Sequence, residues 1–360
     1  MTGETVLIAA FSGRALAQSA RRAGFLPLVV DAFGDADTRA AAAHYAQLPN
    51  AVRTGFSAKP LIAAIDSLIA QAETRPIGLV LGSGFEDRPK LIDSLDKRYR
   101  LLGTRGETVA ELKDPARFFP LLKQLAIPHP PTSLQAPEDP TGWIAKRTGG
   151  AGGAHIRELA SLRRRHPEHY FQRRLDGEPM SVLAIAAQGG VAMELSRQWV
   201  SPSARKPFRY GGAAIAEYAE APHEQQMVTA AATLIELLDP VGLVSFDFIV
   251  NDGTAYLLEV NPRPGATLDV FDDLKGSLFR AQVEAGLGNG LWQDRELPNV
   301  QSRASALLYA DRGAAMARDF DWPDWVSDRP MPGTVIPPEQ PIATVHAGGA
   351  STQDAETLVR

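Results

Sequence analysis

The apolar runs LVSFDFIV (243–250) and AYLLEV (255–260) stand on either side of the turn signal NDG (251–253). Together they read as a β-hairpin. Within them sit Asp247 and Glu259, and Asn261 follows directly. A strand that is to be buried normally excludes carboxylates, because an unpaired charge taken out of water is very costly. Loop length decides where these groups point. A two-residue turn would send Asp247 and Glu259 to opposite sides. A three-residue loop, with Gly253 in the left-handed bulge position, pairs Val250 with Thr254 and Ser245 with Glu259. It then sets Ser245, Asp247, Glu259 and Asn261 on one face. Diagonal neighbours on such a face lie roughly 7–8 Å apart, a gap that suits cations. Hard oxygen ligands without His or Cys point to Mg²⁺, its shell completed by water and a substrate's phosphates. The competing reading is a half-exposed hairpin with an acidic outer face.

Bulk properties narrow the class. The chain has 360 residues, 44% hydrophobic and 22% charged, ordinary values for a globular protein with room for two or three domains. A net charge of −5 provides no global field for nucleic acid or an anionic membrane. Cysteine is absent, which excludes disulfides, thiolate nucleophiles and Cys-type zinc sites. No run approaches the roughly 18 apolar residues of a membrane span, and MTGETVLIAAFSGR lacks the basic n-region of a signal peptide. A cytoplasmic enzyme with no nucleic-acid or membrane partner is expected.

Along the chain, VLIAAF (6–11), FLPLVVDAF (25–33) and IGLVLGSGFE (77–86) read as strands alternating with helices after Ser12 and over 60–73. This βαβαβ order implies a small parallel sheet over about residues 1–103, with Ser12 capping the first helix. The loops after its strands, Ser12-Gly13, Asp31 to Asp37 and Gly82 to Glu86, should line the edge where open sheets bind ligands. A dinucleotide fingerprint is absent, since AAFSGRAL supplies only Gly13. Further on come a helix within 112–132, the strand WIAKR, and a strand YFQRRLDG. A hairpin follows around Gly189-Gly190, then the helix 224–238, short strands after 300 and a last helix from Ser351.

Lys146 lies in WIAKR and is followed by TGGAGG. A glycine loop can turn several backbone N–H groups onto a phosphate while the lysine supplies a point charge. The order is not that of a Walker loop, where the lysine follows the glycines. A flexible linker is the alternative. The segment RQWVSPSARKPFRYGG, with Arg197, Arg205 and Arg209, reads either as a cationic loop for a substrate carboxylate or as a solvated surface loop. RRRH (163–166) reads as a solvated turn, and His155 as a phosphate contact or a structural residue.

This constellation resembles the ATP-grasp superfamily over about residues 1–300. The resemblance implies an α/β chain: a small parallel αβ domain (1–105), then a two-lobe ATP-grasp domain with a small lobe (106–180) and a large lobe (181–300). A short C-terminal β extension (301–360) packs on the large lobe. Carried over residue by residue, Lys113 and Lys146 look like the two nucleotide-contacting lysines, and Gly149, Gly150, Gly152 and Gly153 like the loop over the phosphates. Gln172 stands where a Glu usually faces adenine, backbone groups of Arg173 and Leu175 would read the base edge, and Glu178 would hold ribose. Asp247, Glu259 and Asn261 match the metal ligands, for two Mg²⁺ ions with Mn²⁺ as a substitute. Arg263 matches an arginine near the transferring group and, with Lys146, would act in catalysis. Ser245 stands where some amino-acid ligases carry an arginine.

The resemblance implies ATP-dependent joining of a carboxylate to an amine through an acyl phosphate, with ADP and phosphate released. SGRALAQSARRAG, GSGFE, GGAGGAHI and RYGG look like the predicted carboligase branch that includes tyramine–glutamate ligases of methanofuran-type cofactor synthesis. Arg197, Arg205, Arg209, Ser12 and Gly84 would then face substrate. The alternatives are a carboxylase-like enzyme and a non-catalytic nucleotide-binding module. A homodimer stays open, with no patch marking its interface.

Overall fold

The computed structural model describes residues 3–162, 164, 166–292 and 302–360; Arg163 and Arg165 of the basic turn lie outside them. The first domain runs β1 (Thr5–Ala10), α1 (Arg14–Arg22), β2 (Leu26–Asp31), α2 (Ala36–Ala41), β3 (His44–Gln47), α3 (Ala51–Thr54), α4 (Ala58–Gln71), β4 (Leu79–Leu81) and α5 (Pro89–Asp96). Its sheet has the order β3-β2-β1-β4, and every pairing is parallel. All six residues of β1 are buried, as expected of a strand covered on both faces. The short β3 escapes the sequence pattern because HYAQ has no apolar run and is only half-buried. Ser12 is not the helix cap. Gly13 holds that position, while Ser12 Oγ donates to Asp328 at 3.1 Å.

The helix expected within 112–132 is α7 (Pro115–Gln124), and a further helix, α6 (Gly106–Lys113), precedes it. Asp114 separates them in extended conformation and caps α7 by accepting the Ala116 N–H, and Pro115 disfavours a helical residue before it. The small lobe is an antiparallel sheet of β5 (Thr132–Ser133), β6 (Trp143–Arg147), β7 (Arg157–Glu158) and β8 (His169–Arg173) in the order β5-β8-β6-β7.

The large lobe contributes β9 (Glu178–Ala187), β10 (Gly190–Val200), β11 (Tyr210–Ile215), α8 (Pro222–Leu238), β12 (Gly242–Asn251), β13 (Thr254–Asn261), α9 (Leu268–Phe271) and α10 (Ser277–Leu287). The C-terminal segment adds β14 (Ser302–Tyr309), β15 (Ala315–Met316), β16 (Val326–Ser327), β17 (Val335–Ile336), β18 (Pro341–Gly349) and α11 (Thr352–Val359). Its strands do more than pack on the lobe. β14, β18 and β16 extend one eight-stranded sheet, β13-β12-β9-β10-β11-β14-β18-β16, while β15 and β17 pair separately. One apolar cluster joins α1 of the first domain to β9, β12 and α10, through Leu16, Ala20, Leu183, Leu243, Leu278 and Phe279. The parallel sheet and the large lobe therefore share a core. No helix among the described residues is long and apolar enough to cross a membrane.

Candidate active site

The hairpin β12–β13 reaches the expected arrangement by a different route. Its turn has two residues, Asp252 and Gly253, both with positive φ (47° and 75°), and Asn251 pairs with Thr254. In that register Asp247 and Glu259 would part. A bulge beside Asp247 and Phe248 shifts the pairing, so that Phe248 faces Leu257 but Asp247 faces Glu259 and Ser245 faces Asn261. The extra residue, Leu258, restores the alternation. The expected three-residue loop and the pairing of Val250 with Thr254 are thus corrected, while the shared face of the four residues holds.

On that face the polar groups are bonded to one another. Asn261 Nδ2 donates to Asp247 Oδ2 at 3.0 Å and to Glu259 Oε1 at 3.1 Å. Lys113 Nζ, from the last turn of α6, donates to Asn261 Oδ1 at 2.7 Å. Gln198 of β10 donates to Asp247 Oδ1 at 3.2 Å. Lys146 Nζ donates to Gln172 Oε1 at 3.4 Å and stands 5.7 Å from the centre of the Tyr170 ring. Burial pushes both carboxylates up. For Asp247 the neighbouring Glu259 adds to this and the carboxyl rises to about 6. For Glu259 the cations Lys113 and Lys146 outweigh burial and hold it at about 2. Burial draws Lys113 below its ordinary value, against the pull of Glu259 and Glu86. Lys146 is raised, because Tyr170 and Glu259 overcome its desolvation. A cleft opens here, lined by Lys113, Arg147, Gly149, Gly150, Tyr170 and Glu259.

The glycine loop leaves β6 directly over this cleft. Gly149, Gly152 and Gly153 have positive φ, and Gly150 lies over the His155 ring, which a Cβ would meet at 2.5 Å. A Cβ on Gly153 would fall 1.8 Å from the Phe208 carbonyl oxygen, so only glycine allows this approach. Burial lowers His155 to about 4.

The sequence pattern places Glu86 at the end of a loop on the ligand-binding edge but assigns it no role of its own. It is 4% exposed, accepts the N–H groups of Gly84 and Phe85 at 2.7 and 3.0 Å, and accepts Arg263 Nε at 2.7 Å. Arg263 and Lys113 more than offset its burial and hold it below the ordinary carboxylate value. Its position in GSGFE, just past a strand at the ligand-binding edge, was the available signal.

The other expected residues differ in what surrounds them. Gln172 is buried between Lys146 and Thr132, to whose Oγ1 its amide donates at 3.1 Å. The Arg173 N–H is already bonded to Pro131 O at 2.8 Å, so only its carbonyl could read a base, and Leu175 lies in the connector between β8 and β9. Glu178 opens β9 and pairs with Arg197 at 2.6 Å. Arg197 is a strand residue of β10 rather than a loop residue. Arg205 is exposed. Arg209 departs furthest from expectation as a carboxylate-binding loop residue. It is 2% exposed, its Nη1 and Nη2 donate to Asp311 at 2.9 and 3.1 Å, and its guanidinium stacks 3.5 Å from the Tyr309 ring centre. Its donors are committed within the fold.

The sequence of residues 113–267 matches the ATP-grasp domain family. Residues 113–267 form an ATP-grasp domain. The match contains the two lysines, the glycine loop and the acidic hairpin. Among curated proteins, the chain is similar to the carbamoyl phosphate synthase large chains of Deinococcus radiodurans (27% identity over 226 residues, 54% of this chain and 21% of that one) and Thermomicrobium roseum (24% over 243 residues, 56% and 22%). It therefore spans about a fifth of the length of these curated relatives. Among solved structures, it shares its fold with the biotin carboxylase domain of Hydrogenobacter thermophilus 2-oxoglutarate carboxylase, solved with MgADP and bicarbonate. That match has a TM-score of 0.70 at 13% identity and covers 99% of this chain and 89% of that one. N5-carboxyaminoimidazole synthetase of Staphylococcus aureus complexed with ADP gives a TM-score of 0.67 at 14% identity, covering 99% and 95%. The shared fold thus extends over the first domain and the C-terminal strands as well as the matched residues.

Proposed function

We propose that this chain is an ATP-dependent ligase that activates a carboxylate as its acyl phosphate and transfers the acyl group to an amine, releasing ADP and phosphate. One observation carries the reading: Asp247, Glu259 and Asn261 share a face beneath a glycine loop, with Lys113 and Lys146 beside them. The donor set fits Mg²⁺. Two carboxylates and an amide are hard oxygen donors, and Glu259 stays ionised far below neutral pH. Among the described residues no group of three or more His, Cys, Asp or Glu could hold a metal by itself. That suits an ion whose remaining ligands are water and phosphate oxygens. Bound there, Mg²⁺ would neutralise charge on the transferring phosphoryl group; two ions, or Mn²⁺ in their place, fit the same donors.

The chain's own residues do the rest. Lys146 adds positive charge beside the phosphates, and Lys113 orients Asn261. Gln172 and the connector at Arg173 and Leu175 border the base, and Glu178 the ribose. N–H groups of Gly149, Gly152 and Gly153 cap the phosphates, while that of Gly150 is held by Arg147 O at 3.0 Å, and the loop excludes water that would hydrolyse an acyl phosphate. Arg263, fixed by Glu86, presents its remaining N–H groups toward the reacting carbonyl. Ser12, Gly84, Arg197 and Arg205 border the substrate side. For the substrates, glutamate and an amine in the assembly of a methanofuran-type one-carbon carrier are the pair the branch resemblance favours.

A second reading, phosphorylation of bicarbonate, is favoured by the fold match over 99% of the chain to the two carboxylating structures. ADP release with Mg·ATP separates the two: dependence on an acid and an amine supports the ligase, and dependence on bicarbonate alone supports the alternative. Release of AMP and pyrophosphate would overturn both. Glu259→Gln should abolish turnover in a folded protein, and unchanged activity would refute the site.

A further inference from the structure

Beside Glu86 stands a residue that the nucleotide reading leaves unused. Asp87 follows it in the third-strand loop and meets the base of the glycine loop. Its Oδ2 accepts Arg147 Nη2 at 3.2 Å, and Arg147 is the last residue of β6, ahead of the glycines. Gly149 in turn lies against the Asp87 backbone. A Cβ built there would stand 2.6 Å from the Asp87 Cα and 2.8 Å from its nitrogen, at a φ of +68°. Only glycine allows so close an approach in that conformation. Arg147 and Gly149 both line the nucleotide cleft, so the first domain touches the loop where the loop borders that cleft.

At its other end the loop is fixed to the large lobe. The Tyr210 N–H donates to Gly152 O at 3.0 Å, beside the approach of Gly153 to the Phe208 carbonyl. The loop is thus held at both ends, and its two anchors belong to different domains. The near anchor includes an ion pair of moderate exposure, 48% for the Arg147 side chain and 27% for that of Asp87. Each partner has a longer second contact, Asp87 with Arg88 at 3.4 Å and Arg147 with Glu168 at 3.8 Å. A pair this exposed changes an equilibrium by about fivefold at most. That suffices to bias a glycine loop, whose backbone has little preference of its own.

We infer that Asp87 is a positioning residue for the glycine loop. It holds the near end of the loop down over the phosphate end of the cleft. Two adjacent residues of one first-domain loop then fix both the Arg263 guanidinium and the phosphate cover. The binding half of this assignment needs only the nucleotide site; its catalytic consequence rests on the ligase reading. When the near end lifts, water reaches the acyl phosphate and replaces the amine as nucleophile. Water adds to the acyl carbon, the bond from that carbon to the phosphate oxygen breaks, and free acid and phosphate leave. ATP is then consumed without amide formation.

The test compares the whole wild-type chain with Asp87→Ala, Arg147→Gln and the double variant. Hydrogen exchange at residues 148–153, without nucleotide, should be about fivefold faster in each single variant. Release of N-methylanthraniloyl-ADP with Mg²⁺, followed by stopped-flow fluorescence, should quicken by a similar factor. The double variant should match the singles, because each removes the same contact. Wild-type exchange and release rates in Asp87→Ala, or effects that add in the double variant, would overturn the assignment. Failure of the wild type to bind this ADP would overturn it together with the nucleotide site. With Mg·ATP, glutamate and an amine, ADP released per amide formed should be about one in the wild type and higher in Asp87→Ala. An unchanged ratio would overturn the catalytic consequence. If no acid–amine pair supports turnover, the ligase reading fails, while exchange and nucleotide release still decide the anchor.

Discussion

Arg263 Nε donates to Glu86 Oε1 across 2.7 Å, joining the segment that follows the acidic hairpin to the third-strand loop of the parallel sheet. Through this contact the first domain sets the direction of a guanidinium on the ATP-grasp domain. Lys113 lies close enough to add to the field that lowers Glu86, so one buried carboxylate steadies two cations from different segments.

Glu86→Gln should therefore lower kcat/KM for ADP release by about 10²-fold, the scale of a misdirected transition-state donor. Stability should fall by about 1–3 kcal/mol, because two buried cations lose their counter-charge. Steady-state kinetics and denaturant unfolding check the two effects. Wild-type kinetics in the variant would show that the Arg263–Glu86 contact has no part in turnover.

Gly153→Ala tests the glycine loop. The added Cβ meets the Phe208 carbonyl oxygen at 1.8 Å with φ at +70°, which demands a backbone shift costing about 1–3 kcal/mol. The expected outcome is a KM for ATP raised about tenfold or more with a small change in Tm. An unchanged KM would mean that the loop does not close on the nucleotide.

Arg209→Lys tests the reassigned arginine. Lysine cannot bridge both Asp311 oxygens or stack on Tyr309 in the same way, so the variant should lose about 2 kcal/mol of stability. Its KM for substrates should stay within about threefold of wild type. A large KM effect without a loss of Tm would return Arg209 to the substrate side.

Asp328 gives the acid limb of stability. Burial raises its proton affinity, but Arg14, Thr344 and Ser12 lower it further, to about 2 against an ordinary 3.8. A depressed carboxylate contributes fully above its unfolded value and loses that contribution as pH falls through the folded value. The gap corresponds to about 2 kcal/mol. Wild type should thus be more stable than Asp328→Asn at pH 5, and the two Tm values should converge between about pH 4 and pH 2. A gap that persists below that range would place the stabilisation elsewhere.

Much of this architecture is legible in the chain itself. The apolar run of β1, the strand WIAKR before TGGAGG, and the hairpin around NDG each carry local signals: burial on both faces, strand propensity beside glycine, and a turn dipeptide. Lys146, Asp247, Glu259 and Asn261 are visible for the same reason, as charged or polar residues in stretches otherwise built for burial, whereas Lys113 enters only through the family resemblance. Tertiary structure alone decided how Glu259 reaches the face of Asp247. The tight turn sends it to the other side, and the bulge at Leu258 brings it back, a compensation fixed by pairing across strands rather than by any one segment. It also decided that Arg209 belongs to Asp311, 102 residues along the chain, and that Arg14 is shared by Asp269 and Asp328, 255 and 314 residues away. Ion pairs across such separations leave no periodicity in the sequence, because their geometry exists only once the sheets have closed on a common core.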